Sequence, residues 1–254
     1  KIDQNDIFLP QMLKSYCISK TLIVDTKYID NAVKQFNIGA SRHHHKSMFM
    51  YATMLLHGIA IQQNVTEALD IFKEAADENF LPACAQYARI LMNGIYVAVD
   101  KKLAAKYFKK AADLGHLQSM FSYATMLLNG EGIQKDVTKA IEYYKSAADQ
   151  GHVQSMFTYA TMHFYGIGMN VNKKVAANYY KKAADEEHFQ STRMYCEMLL
   201  NGIGVMINRK EAVKYLIKLV NVDDVDALVK YASLLQNGDI IKCDKTKAVK
   251  YYEK

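Results

Sequence analysis

Glycine recurs at Gly58, Gly94, Gly130, Gly166, Gly202 and Gly238, and the step between successive copies is always 36 residues. Tyrosine keeps that step through Tyr51, Tyr87, Tyr123, Tyr159, Tyr195 and Tyr231, and alanine through Ala68, Ala104, Ala140, Ala176, Ala212 and Ala248. Such self-similarity constrains the fold more than any single motif, because each copy is one supersecondary unit that must stack on its neighbours to bury its apolar face. Six repeats run from His45 to the end, and the last stops at "KYYEK" where earlier copies continue into "KSAAD" or "KKAAD". The sequence opens on Lys1 rather than Met, so a segment of a longer array is expected. Because a stack of such units is quasi-one-dimensional, one elongated domain is expected from the 254 residues.

Within the third repeat Met120, Tyr123, Ala124, Leu127 and Leu128 fall at i, i+3, i+4, i+7 and i+8, one stripe of a helix A. Gly130 follows the last periodic residue, where a left-handed C-terminal cap favours glycine. After a short loop comes Asp136, and the same position holds Asn64, Asp100, Asn172, Asn208 and Asp244, all residues whose side-chain oxygen caps a helix N-terminus. Glu67 and Glu211, three residues on, are expected to complete capping boxes. A helix B then presents Ala140, Tyr143, Tyr144, Ala147 and Ala148 as its stripe. The predicted fold is all-α: a right-handed superhelical α-solenoid of stacked antiparallel helix pairs over residues 45–254. Residues 1–44 are predicted to be a degenerate helical N-terminal cap or partial repeat, with Ala32 and Phe36 one period before Ala68 and Phe72 and a helix beginning near Asp25.

Composition narrows the function classes. No run approaches the roughly 18 apolar residues of a membrane span. Cys17, Cys84, Cys196 and Cys243 occupy different repeat positions and form no C-x-x-C pair, which favours a reducing compartment and small core thiols over a zinc site or disulfide ladder. His43, His44 and His45 are adjacent and point different ways on one helix, which predicts a solvated junction rather than a metal site. His116, His152 and His188 recur once per repeat, and helix axes about 8–10 Å apart keep such rings from sharing one ion. They are expected to be structural. The Gly-x-Gly loops lack the third glycine and preceding strand of a dinucleotide site. No catalytic residue, cofactor or metal is expected.

The succession of a Gly-x-Gly loop, Asp or Asn, "KA", an aromatic pair, "KAA" and "GH" resembles the Sel-1-like repeat family, a relative of the tetratricopeptide solenoids. The third repeat carries it as "NGEGIQKD", "KAIEYY" and "KSAADQGH", and the resemblance covers residues 45–254. This chain departs from the family by placing Tyr-Ala before Leu along helix A and by lacking the second loop glycine in the first, second and sixth repeats. Cysteine-rich family members with described β-lactamase activity carry paired cysteines in each repeat, which this chain lacks, and none of its ten serines has a lysine three residues on.

The resemblance implies that helix A lines a concave face. That face would carry Gln118, Ser122, Thr125 and Asn129 in the third repeat, Gln154, Thr158, Thr161 and Tyr165 in the fourth, and Gln190, Met194, Glu197 and Asn201 in the fifth. Such a ladder of neutral hydrogen-bonding groups suits a peptide backbone or the side of a helix, and the expected function is a non-catalytic scaffold or adaptor for a protein or peptide partner. The alternative is a regulatory module docking a segment of its own parent chain, for example beside a kinase. RNA binding is the remote alternative: "KKLAAKYFKK", residues 101–110, puts its lysines on helix B, away from that groove. A cytoplasmic location is expected, with the endoplasmic reticulum lumen as the alternative.

Overall fold

The computed structural model describes residues 26–238 and 240–253, and among these it has thirteen helices and no strand. The helix Thr26–Ser41 precedes the repeats. Helix A of the six repeats spans His45–His57, Leu81–Asn93, Leu117–Asn129, Val153–Tyr165, Phe189–Asn201 and Val225–Asn237. Helix B spans Val65–Asp77, Lys101–Asp113, Val137–Asp149, Lys173–Asp185, Arg209–Val220 and Lys245–Tyr252. The predicted N-terminal helix is present from Thr26, and Cys17 and the expected helix start at Asp25 lie outside the described residues. No described helix is long and apolar enough to cross a membrane.

The helices gather into two compact units, one ending at Lys135 and one beginning at Asp136. The first holds the N-terminal helix, the first two repeats and helix A of the third. The second holds helix B of the third repeat and the remaining three. Each is a solenoid run in which a helix packs on the next in sequence.

The predicted punctuation forms each turn. Gly130 adopts φ +76 and its N–H bonds to the Met126 carbonyl, and the five equivalent glycines are left-handed C-caps too. All six Asn or Asp caps accept a bond from the N–H three residues on, as Asp136 does from Lys139 at 3.0 Å. The capping boxes take a different form from the one expected. Glu67 and Glu211 accept from the side-chain amides of Asn64 and Asn208, at 2.8 and 3.0 Å, because the caps' own N–H groups already bond to the Leu55 and Leu199 carbonyls.

The second loop glycine has a distinct task. Gly132 lies at φ +70 against the N-terminus of helix B in the preceding repeat, where a Cβ would sit 2.4 Å from both the carbonyl carbon and oxygen of Lys101. Gly204 meets Lys173 in the same way. In the first and second repeats, which lack this glycine, Ala60 and Tyr96 still take the left-handed conformation, at φ 62 and 65.

In the second, fourth, fifth and sixth repeats the tyrosines of the two helices meet edge to face, as Tyr87 does on Tyr107 at 4.9 Å and Tyr159 on Tyr179 at 4.8 Å. Between repeats, Tyr107 donates to Asp77 at 2.8 Å and Tyr215 to Asp185 at 2.7 Å, tying helix B to the helix B before it. Burial opposes the Asp77 carboxylate, but the Tyr107 hydroxyl and nearby lysines prevail and hold its pKa below the usual range. Asp77 is 43% exposed, so solvent screens the bond. Tyr107→Phe is expected to cost about 1–2 kcal/mol, which is the range of about 1.5–3 kcal/mol for a bond to a charged group reduced by that screening, read by chemical denaturation. Cys84 and Cys196 are buried free thiols, as expected; Cys243 departs from that expectation and is exposed. Burial pushes Cys196 up to about 11, leaving it unreactive.

Candidate functional site

The first unit carries an open groove of about 500 Å³ along helix A of its three repeats. Half-buried Phe49, Leu81, Pro82, Met92 and Phe121 supply apolar surface, with Phe108 of helix B beneath. Gln86, Arg89, Asn93, Gln118, Ser122 and Thr125 supply the polar lining. Three of the predicted residues, Gln118, Ser122 and Thr125, are thus brought together here. The fourth of that repeat, Asn129, is exposed and donates at 3.1 Å to Glu131, which itself lines the groove and accepts from Lys101 at 2.8 Å.

Sequence reasoning missed the contribution of the second repeat. Gln86, Arg89 and Asn93 stand one 36-residue step before Ser122, Thr125 and Asn129, so the register that named the latter contained the signal. They also change the chemistry. Arg89 is exposed in the groove and donates to Gln86 at 2.6 Å, so this part of the face is not a ladder of neutral groups alone.

In the second unit Gln154, Tyr165, Gln190 and Asn201 are exposed, and Thr158, Thr161 and Met194 are half-buried. Their helical setting limits the hydroxyls. Thr158 donates to the Gln154 carbonyl at 2.9 Å and Thr161 to the Phe157 carbonyl at 2.8 Å, while Tyr180 lies 3.0 Å from the Thr161 oxygen. Thr158 is therefore left as an acceptor rather than a donor, and the Thr161 hydroxyl is taken up by Phe157 and Tyr180. Glu197 is engaged by Lys230 at 3.5 Å beside a crevice of about 10 Å³.

The recurring histidines are N-caps of helix A. Nδ1 of His116, His152 and His188 accepts from the N–H of Ser119, Ser155 and Ser191 at 3.2–3.3 Å and lies 2.8–2.9 Å from the hydroxyl of the same serine. A protonated Nδ1 could not accept, and burial lowers the pKa of His188 accordingly. On the lysine-rich helix, Lys101 meets Glu131, Lys109 meets Asp113, and Lys110 lies 3.7 Å from Asp77, so carboxylates neutralise much of that face. His43 and His45 at the start of the array are solvated, as expected of a junction, but they also find carboxylates: His43 pairs with Glu74 at 2.8 Å, and His45 pairs with Glu78.

The Sel1 repeat model matches residues 45–80, 81–116, 117–152, 153–188, 190–221 and 225–254. No curated protein matches the chain. Among solved structures, c5321, a protective antigen of uropathogenic Escherichia coli displaying an SLR fold, superposes with a TM-score of 0.78 at 24% identity, over 87% of this chain and 47% of that one. A Sel1 repeat protein from Oxalobacter formigenes gives 0.69 at 19% identity, over 87% of this chain and 64% of its own length. The chain thus spans about half of the first structure and under two thirds of the second. The likeness to both is one of fold. With six consecutive matches in register with six helix pairs, the chain belongs to the Sel1 repeat family.

Proposed function

We propose that the chain is a non-catalytic scaffold whose first unit docks a peptide or helix of a partner protein in the groove between Phe49 and Phe121. Sel1 repeat proteins are in general protein–protein interaction scaffolds. The observation that carries the finer reading is the combination of an apolar floor with converging polar groups in one open concavity, the arrangement by which a site gains affinity from burial and register from hydrogen bonds. Gln86, Asn93, Gln118 and Ser122 offer both donors and acceptors to a peptide backbone, and Arg89 adds preference for a carboxylate or carbonyl. In the second unit the exposed Gln154, Gln190 and Asn201, with the acceptor oxygen of Thr158, are proposed to serve the same class of partner.

The test is selection of peptides from a displayed random library on the purified protein, followed by affinity measurement on Ala85→Arg and Ser122→Arg. Both positions line the groove and are only half-buried, so folding is expected to survive, as checked by thermal melting. A hot-spot loss of about 2 kcal/mol, roughly 30-fold in Kd, is expected for peptides seated there. Unchanged affinity in both variants would send the partner site to another face.

A further inference from the structure

The first repeat departs from the repeat pattern at three positions at once, and the structure brings all three together. Position 74 is Glu, where the second, fourth and fifth repeats have Lys110, Lys182 and Lys218. Two of those lysines serve as ties: Lys110 donates to the Ala76 and Asp77 carbonyls at 3.2 Å and Lys218 to the Ala184 carbonyl at 3.0 Å, each completing the end of the preceding helix B. Position 45 is His, where the other five repeats have Leu81, Leu117, Val153, Phe189 and Val225. Position 43 is His, where the others have Asn79, Gly115, Gly151, Glu187 and Asp223, and it keeps their left-handed backbone at φ 55. A cation that ties repeats is thus replaced by an anion, and two imidazoles are added opposite it.

Glu74 and Glu78 lie four residues apart at the C-terminal end of helix B, where the helix dipole disfavours negative charge and like charges at this spacing repel. Both effects favour a cation between the carboxylates. The ligand atoms of His43, Glu74 and Glu78 all lie within 4.8 Å of one another. Ligands each about 2 Å from one ion stand within about 4 Å of each other, so a small rotation of these exposed side chains closes the set. His45 bonds to Glu78 from outside the trio and stacks on Phe80 at 5.6 Å, which orients that carboxylate as an outer-shell partner does.

We propose that His43, Glu74 and Glu78 form a divalent metal site of the zinc class, with a fourth position left to water. One imidazole nitrogen with two carboxylates suits zinc, whereas calcium and magnesium take six or more oxygen ligands or keep their own waters. The site joins the turn between the N-terminal helix and helix A of the first repeat, which holds His43, to the C-terminal end of helix B, which holds Glu74 and Glu78, so a metal would take over the tie that lysine makes elsewhere.

Titrating the purified protein with zinc in excess magnesium, followed by calorimetry and by melting temperature, tests the assignment. One equivalent is expected to bind and raise the melting temperature. Glu74→Lys restores the residue that three other repeats use and so keeps the fold; it is expected to abolish that binding, and His43→Ala to weaken it at least tenfold. His57→Ala, at the far end of helix A, is expected to leave it unchanged. No binding by the parent protein, binding retained in Glu74→Lys, or an equal loss in His57→Ala would each overturn the site.

Discussion

Gly132→Ala is expected to cost about 3 kcal/mol or more, well above the 1–2 kcal/mol of a left-handed residue with a Cβ, because strain and collision add. The added atom would stand 2.4 Å from the Lys101 carbonyl group and 2.7 Å from the Lys102 nitrogen, and backbone cannot rotate aside as a side chain can. Gly115→Ala separates the two contributions, since Gly115 is also left-handed, at φ +94, but nothing lies within 4 Å of its Cβ direction. Thermal melting followed by circular dichroism should show a drop of about 6–12 °C for Gly132→Ala, at about 2–4 °C per kcal/mol, and a much smaller one for Gly115→Ala. Equal drops would mean that the close approach of loop to helix contributes nothing.

His163→Leu is expected to act in the opposite direction. The equivalent positions hold Leu55, Leu91, Leu127, Leu199 and Leu235, all buried in the core stripe. In the fourth repeat the imidazole takes that place, edge-on to Tyr159 at 4.6 Å, with both ring nitrogens buried and without a hydrogen-bond partner. An unsatisfied buried polar group costs about 1–3 kcal/mol, so leucine should stabilise by a comparable amount. Burial also lowers the pKa of His163 below its ordinary 6.5. The unfolded chain therefore takes up its proton as pH falls through about 6.5 while the folded ring stays neutral to lower pH, so stability is full above that value and is lost below it. Burial lowers His57 and His188 in the same direction, with Arg89 adding to the shift at His57, and these losses remain in the variant. Urea denaturation at pH 7.5 and 5.5 should show that His163→Leu is more stable at both and loses less on acidification. A variant no more stable than the parent at pH 7.5 would show that the ring has found partners.

Both predictions mark what the repeat pattern could and could not convey. The helix pairs were legible because their punctuation is local: Gly130 and Asp136 each act within a few residues, and six copies repeat the statement. The histidine caps were half legible. Recurrence at His116, His152 and His188 identified a structural role, but imidazole is an uncommon cap, and its bond to the serine N–H emerges only from the turn geometry. The task of Gly132 was hidden because its partner, Lys101, lies in another repeat. The same holds for His43 and Glu74, which are 31 residues apart and meet through neither the 36-residue register nor a helical step. Of the groove, the polar positions of helix A were readable, whereas the bonds that the Thr158 and Thr161 hydroxyls make back to their own helix were not, because such bonding leaves no trace in the sequence.

The Tyr–Asp bonds between consecutive B helices bear on how such a chain tolerates changes in length. In the second unit Tyr179 meets Asp149 and Tyr215 meets Asp185, each pair 30 residues apart, so one geometry serves successive junctions. Duplicating or excising the 36-residue block that carries Tyr179 and Asp185 would leave Tyr215 facing an equivalent aspartate, Asp149 in the case of excision, and change only the number of junctions. A single-residue insertion in helix B behaves quite differently: it turns everything beyond it by about 100°, carrying the tyrosine off the junction and the alanine stripe out of the seam. A gene encoding this chain can therefore lengthen or shorten it in whole blocks far more readily than in single codons, and related proteins should differ by whole repeats more often than by gaps within helix B.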